Sequence, residues 1–450
     1  MSNRHFPHTQ DQLKQLASDV LGYAKAQGGT DCAVDFSEGS GLSVSVRRNK
    51  VETIEQNRDK GMGVTVFIGQ RRGNASTADF SAAALKATVA AAYDIARYTA
   101  QDDCAGLPEA ELLETAPPDL QLFYPWDIDT GGAVALAQRA EAAAFAVDPR
   151  VTNSEGAGVH VQQSHFVSAN SRGFMAGYPY SRHTLSVAPI AGRGAAMQRD
   201  DWYSSVRDAA RMATPEAIGR YAAERALARL GARTISTRTC PVLFEAPLAI
   251  GLLGAYVQAT SGGALYRQST FLLASLGKQV LPAHVQIHED PHVIGAVGSA
   301  PFDDEGVRTV SRDVVKDGVV QGYFLSTYSA RKLGMQTTGN AGGSHNLTLT
   351  STRTAPGDDF RAMLRKMGTG LLVTELMGQG TNYVTGDYSR GAAGFWVEHG
   401  VIQYPVEEIT IAGNMRDMLA QIVAVGTDTM VRGTKQTGSI LIEQMVVGGT

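Results

Sequence analysis

The chain lacks most of the features by which functional classes declare themselves. Cysteine occurs only three times, as Cys32, Cys104 and Cys240, widely spaced. That excludes a disulfide framework and any C-x-x-C metal or redox pair, and it fits a reducing compartment. No apolar run reaches the roughly 18 residues of a membrane-spanning helix. Met1 to Gln10 are polar, without the apolar stretch of a signal peptide. A cytoplasmic protein with no membrane contact is expected. Lys and Arg number 40 against 44 Asp and Glu, for a formal charge of −4, and no basic stripe stands out. Direct nucleic-acid binding is therefore not expected.

Signatures of chemistry are equally scarce. There is no H-E-x-x-H or H-E-x-x-x-H, no G-x-S-x-G and no P-loop. Gly61-Met62-Gly63 and Gly378-Gln379-Gly380 lack the third glycine of a dinucleotide fingerprint. Ser329-Ala330-Arg331-Lys332 matches S-x-x-K without its companion motifs.

What is present is length, apolar content and glycine. With 450 residues and 43% hydrophobic content, about two or three domains are expected. Glycine, at 49 residues, has no fixed period and points to many tight turns, hence many strands. Thr9 and Gln12 form a capping-box pattern before Leu13, Leu16, Val20, Leu21 and Ala24, and Gly28-Gly29 stops that helix. Strands follow at Ala33 to Ser37, Leu42 to Val46 and Val51 to Ile54, with a turn at Arg47 to Lys50. Met62 to Ile68 and Gly73 to Thr77 make another pair around Gly69. Asp79 is read as the cap of an Ala-rich helix burying Leu85, Val89, Ala92 and Ala96.

Proline-rich 106–130 reads as a linker between domains at 1–105 and 131–235. A helix from Ala133 to Val147, strands from Val151 to Ile190 and a helix from Pro215 to Leu230 fill the middle domain. In the last domain, 236–450, the strand Pro241 to Phe244 leads into an apolar helix, Ala246 to Thr260. Turn-punctuated strands follow, with a hairpin at Lys316-Asp317-Gly318, a turn at Glu398-His399-Gly400 and a helix near Gly357 to Lys366. The class is α+β: a mixed helix/antiparallel-sheet N-terminal half and a β-rich C-terminal half.

Two clusters invite chemical readings. His284, His288 and His292, with Glu289, recur at steps of four that share a face in either helix or strand, as metal ligands would. The alternation of Val285 and Ile287, ended by Asp290-Pro291, reads instead as an edge strand entering a turn. Asp303-Asp304-Glu305-Gly306 could hold a hard cation, act as acid and base, or form a hydrogen-bonded turn.

Several ordered segments together resemble the TldD/PmbA family of bacterial peptide-processing metalloproteases. They are Gly61 to Phe67 with Gly73 to Thr77, Phe302 to Val307, Tyr328 to Gly334, Thr337 to Ala341, Gly378 to Asn382, Thr385 to Gly391, and Tyr404 to Asn414. The family pairs a TldD-type subunit, whose H-E-x-x-x-H helix and a later cysteine hold zinc, with a PmbA-type (TldE-type) subunit that lacks these ligands. The chain resembles the second type. Gly254 and Ala259 stand where the two histidines would be, and Ala255 where the glutamate would be. No cysteine follows Cys240.

The resemblance implies no cofactor in this chain, with zinc in a TldD-type catalytic partner. It implies an unfolded peptide substrate, held largely by its backbone in a chamber between the subunits. Homodimerisation in the absence of the partner is a further expectation. Asp303, Asp304, Glu305, Gly378, Gly380 and Asp387 become candidates for lining that chamber, with plain turn formation as the other reading. Maturation of a peptide antibiotic precursor, degradation of an antitoxin and a link to DNA gyrase are the roles the resemblance carries. The alternatives are a stand-alone peptidase using His284, His288 and Glu289, and a peptide-binding regulator linked to gyrase inhibitors.

Overall fold

The computed structural model describes residues 5–449. Two compact units form: one holds the chain to Leu227 with Ile294–Val297 and Pro301–Thr309, the other the remainder.

The first unit is built on one long antiparallel sheet. Helix α1 (Gln10–Gln27) begins on the expected capping box, with Thr9 Oγ1 accepting from the Gln12 N–H, and ends on left-handed Gly28 at φ 100°. Strands β1 (Asp31–Arg47) and β2 (Lys50–Ile68) follow, joined by a two-residue turn in which Arg48 and Asn49 have φ of 50° and 61°. That turn is of the hairpin type whose twist matches the flanking strands. Strand β3 (Arg71–Thr77) folds back on β2, and helix α2 (Ala82–Tyr98) buries Leu85, Val89, Ala92 and Ala96. Its cap is Ser81 and not Asp79; the Asp79 carboxylate instead accepts from the Ser81 N–H and hydroxyl. Helix α3 (Thr130–Phe145) starts three residues earlier than the sequence suggests, because Asp129 Oδ1 caps the Gly132 N–H at 2.7 Å. Strands β4 (Val151–Asn170), β5 (Met175–Ala176), β6 (Pro179–Ala191), β7 (Gln198–Arg199) and β8 (Trp202–Val206) precede helix α4 (Pro215–Ala228).

The sheet runs β3-β2-β1-β4-β6-β7. Helices α1 and α2 cover one end around Val34, Phe36, Met62 and Val167. Helices α3 and α4 cover the other around Val44, Val46, Val159 and Leu185. The middle lies between the two helix layers, so Ser37 to Gly41 and Glu55 to Lys60 need no apolar face. That is why each strand reads as two short ones in sequence but forms one continuous ladder. Residues 106–130 pack against this unit, burying Leu107, Leu113, Leu120 and Leu122.

In the second unit β9 (Arg238–Phe244) leads into helices α5 (Ala246–Ala259) and α6 (Gly262–Tyr266). Then come β10 (Val285–Asp290), β11 (Arg312–Lys316), β12 (Val319–Val320), α7 (Thr327–Lys332), β13 (Asn346–Ser351), α8 (Phe360–Met367) and β14 (Gly370–Met377). The chain ends with β15 (Asp387–Glu398), β16 (Val401–Asn414), α9 (Met415–Ala420), β17 (Ile422–Val425), β18 (Met430–Arg432), β19 (Lys435–Thr437) and β20 (Ile440–Gly448). The predicted hairpins form, with φ of 51° and 75° at Asp317 and Gly318, and 50° and 75° at His399 and Gly400. One sheet runs β12-β11-β10-β13-β19-β18. The other runs β16-β15-β14-β9-β20-β17, and an added β16–β20 pairing closes it into a ring. The class is α+β with a β-rich C-terminal half, as the sequence indicates. Among the described residues no helix is long and apolar enough to cross a membrane.

Candidate functional site: the α5 helix, the acidic turn and the glycine loop

Helix α5 starts straight from β9, with Glu245 at its cap and Pro247 in its first turn, where a missing N–H costs little. Leu252, Leu253, Ala255, Tyr256 and Ala259 are buried in the main core of this unit. Gly254 is half-buried, and a Cβ placed there would meet nothing within 4 Å. Ala259, five residues on, is 0% exposed. Glycine and alanine at these two positions carry no side-chain atom that could ligate an ion. Burial pushes the Tyr256 hydroxyl well above the usual phenol range, and that hydroxyl has no hydrogen-bond partner among the described residues. The helix is a packing element, and its residues supply no zinc ligand and no general base.

The histidine cluster is not brought together. Only His288 lies within β10; His284 and His292 sit in the turns on either side. Buried His284 is tied to Ser351 Oγ and the Ile422 carbonyl at 2.9 and 3.1 Å. Exposed His288 contacts Asp313 Oδ1 and Ser311 Oγ at 2.8 and 3.0 Å. The step of four therefore does not place them on one face. Nor is β10 an edge strand, since β11 and β13 flank it. Among the described residues no group of three or more His, Cys, Asp or Glu could hold a metal.

Glu289, beside His288, takes a different part. Its carboxylate is 1% exposed and accepts from Arg312 Nε at 2.8 Å, from Asn340 Nδ2 at 2.9 Å and from the His345 N–H at 2.8 Å. Arg312 also donates to the Tyr323 carbonyl and Asn340 Oδ1. The segment Thr337 to Ala341 thus carries a partner for a buried ion pair. Five residues scattered over 289–345 build this network, and no spacing in the sequence announces it.

The acidic turn and the glycine loop are ordered by their own chains. Asp303 Oδ1 accepts from the Glu305 and Val307 N–H groups, each at 2.9 Å, and Gly306 sits at φ 79°. Asp303 is buried, Glu305 half-buried and Asp304 exposed. Residues 378–387 join β14 to β15. A Cβ on Gly380 would lie 1.7 Å from the Ser389 carbonyl, so close backbone approach within the chain fixes glycine there. Gly378 takes φ 73° with open space around it. Asp387 Oδ2 accepts from Thr385 Oγ1 at 2.7 Å. Asp303 to Glu305 belong to the first unit, and Gly378 to Asp387 to the second. Ser329 of the S-x-x-K match is the third-position partner of Ser326 in a capping box on α7.

A buried titratable cluster in the first unit has no sequence signature. Glu38 on β1, 3% exposed, is held between His8 Nδ1 at 2.6 Å and His165 Nε2 at 3.1 Å. Burial alone would raise its pKa, but hydrogen bonds from His165 and His8 outweigh that and hold the carboxyl below its ordinary value. Burial lowers the pKa of His165, so a neutral ring donates through Nε2, leaving Nδ1 facing Gln10 Nε2 at 3.4 Å.

Models of the PmbA/TldA metallopeptidase domain 1, central domain and C-terminal domain match residues 32–96, 123–230 and 237–449. The chain belongs to the PmbA/TldA metallopeptidase family. It is 48% identical over 438 residues to metalloprotease PmbA of Escherichia coli O157:H7, covering 97% of this chain and 96% of that protein. It is 45% identical to the metalloprotease PmbA homolog of Haemophilus influenzae, over 98% and 97% of the two chains. Among solved structures, a Bacteroides thetaiotaomicron protein named as a modulator of DNA gyrase superposes with TM-score 0.91 at 25% identity, over 98% and 99% of the chains. TldE from Thermococcus kodakarensis shares the fold, with TM-score 0.84 at 19% identity over 96% and 100%. The PmbA/TldA fold thus comes here with an α5 helix that, apart from Gln258, consists of glycine, alanine and other largely apolar residues.

Proposed function

We propose that this chain is the PmbA-type (TldE-type), zinc-free subunit of a two-subunit metallopeptidase that acts on unfolded peptides. The observation that carries the reading is α5: Gly254, Ala255 and Ala259, which the resemblance sets against the zinc motif, offer no ligand atom or base. A catalytic zinc takes about three protein ligands and a water. The zinc, the activated water and peptide-bond hydrolysis then belong to a TldD-type partner. This chain contributes fold, an interface and part of the peptide chamber. Asp304 in the first unit and Asp387 in the second are each exposed, as a residue that meets a peptide must be. Asp303 and Gly380 keep the loops in shape.

The test is hydrolysis of an unstructured peptide by the purified chain with added zinc, alone and then with a TldD-type protein from the same organism. Silence alone and cleavage on mixing is the expected result. Chelator-sensitive cleavage by the chain alone would overturn the reading.

A further inference from the structure

Lys435 on β19 turns toward the core side of its sheet. The strand runs parallel to β13, with Lys435 beside Leu347, and antiparallel to β18, with Lys435 beside Arg432 and Thr437 beside Met430. Partnered residues in a ladder share a face, and so do residues two apart. Lys435 and Thr437 therefore share the face of Leu347, which lies in one core with Leu252, Leu253 and Tyr256 of α5. Helix α5 packs against β18 and β19. Lys435 is half-buried and Thr437 is 0% exposed. The amine lies 3.5 Å from Thr434 Oγ1 and makes no ion pair among the described residues. From the neighbouring strands it faces Leu347 and Arg432, neither of them an anion. Burial alone lowers its pKa. Arg312 and Lys366 of the same unit, by contrast, each meet a carboxylate, Glu289 and Asp358. Thr437 Oγ1 is also buried without a hydrogen-bond partner among the described residues.

A half-buried ammonium without a counter-ion either sheds its proton or takes an anion from outside the chain. We propose that Lys435 anchors a carboxylate-binding site beside α5, with the Thr437 hydroxyl as a second donor. The carboxylate is that of a peptide, either its C-terminus or an acidic side chain. That the carrier is a peptide rests on the subunit reading above; that the site takes an anion does not. An ammonium and a hydroxyl on one face can each donate to one of the two carboxylate oxygens. A charge-assisted hydrogen bond is worth more where water is partly excluded, as it is around Lys435. Opposite Arg432 adds positive charge from β18 and disfavours a cationic ligand. The site lies against the helix that carries Gly254, Ala255 and Ala259, so the chain offers a fixed cation of its own next to that helix.

The full chain is tested with glycine-serine peptides that carry an uncharged dye at the N-terminus, by fluorescence anisotropy. Three are compared: the free C-terminal acid, its C-terminal amide, and the amide with one internal glutamate. The acid, the glutamate amide or both are expected to bind at least about tenfold more tightly than the plain amide. Which of them binds tells a terminal from a side-chain carboxylate, and either supports the site. Lys435→Met is expected to lose that margin, Lys435→Arg to keep it, and Thr437→Val to weaken binding about threefold. Circular dichroism checks that each variant folds. In the unmodified chain the bound peptide is expected to shield Lys435 from acetic anhydride, read by mass spectrometry. Equal binding of all three peptides, unchanged binding by Lys435→Met, no shielding, or no binding at millimolar peptide overturns the proposal. Neither zinc nor a partner is present, so these outcomes are separate from cleavage by the mixed subunits.

Discussion

Gly254 and Ala259 point to different surroundings on one helix: the first toward open space, the second into solid core. Neither residue offers a donor atom. Gly254→His, Ala255→Glu and Ala259→His together are expected to give no stoichiometric zinc, because two histidines fall short of about three protein ligands and no cysteine follows Cys240. Ala259→His alone should destabilise by about 1–3 kcal/mol through overpacking. Elemental analysis after dialysis against zinc checks the first point, and denaturant unfolding the second. One zinc per triple-variant chain would show that another residue of this chain completes the ligand set.

The Glu289–Arg312 pair holds the second unit from inside. Glu289→Ala leaves Arg312 partly buried without its carboxylate, and a loss of about 3–5 kcal/mol is expected. Glu289→Gln keeps an acceptor and should lose less. The fluorescence of Trp396, read in a Trp126→Phe, Trp202→Phe background, follows this unit. Equal effects of the two substitutions would mean that charge, and not hydrogen bonding, is what matters.

Gly380 and Gly378 should respond differently to alanine. At Gly380 the methyl group meets the Ser389 carbonyl, so the hairpin must open. At Gly378 the cost is backbone strain of about 1–2 kcal/mol, with no clash. Hydrogen exchange at the Ser389 N–H, which donates to the Gly380 carbonyl at 2.8 Å, is expected to accelerate strongly only in Gly380→Ala. The same rate in both variants would mean that the close approach is not enforced.

Acidification should weaken both units. Burial lowers the pKa of His165, His183 and His284, all nearly inaccessible. A depressed histidine takes its proton more readily when unfolded. Its destabilisation therefore begins as pH falls below the unfolded value of about 6.5 and levels off below the folded value. Glu38, held below its ordinary range, adds a further loss on falling through its own folded value. Melting temperature is expected to drop between about pH 7 and 5, with a shallower drop in His183→Gln. A flat profile in the unmodified chain would contradict the burial of these rings.

Local features read correctly from sequence where short-range chemistry sets them. The capping box at Thr9, the buried stripe of α2, the Asp317-Gly318 hairpin and apolar α5 each depend on neighbours within a few positions. The reading fails where distant partners decide. Asp79 is a local miss, since it braces the true cap Ser81 two positions on; the histidine series dissolves because two of its members fall in turns tied to distant strands. Glu38 meets His165 across 127 positions, and Glu289 meets Asn340 across 51. No window on the sequence contains both ends of such a contact.

The sequence by itself determined the family, the α+β class and the glycine and alanine at 254, 255 and 259, since each is written in residue identity and order. The tertiary structure alone decided which charges are buried, which glycine is forced by backbone approach, and that Lys435 is half-buried beside Leu347. Burial and strand pairing are properties of neighbours in space, and only the folded chain brings those neighbours together.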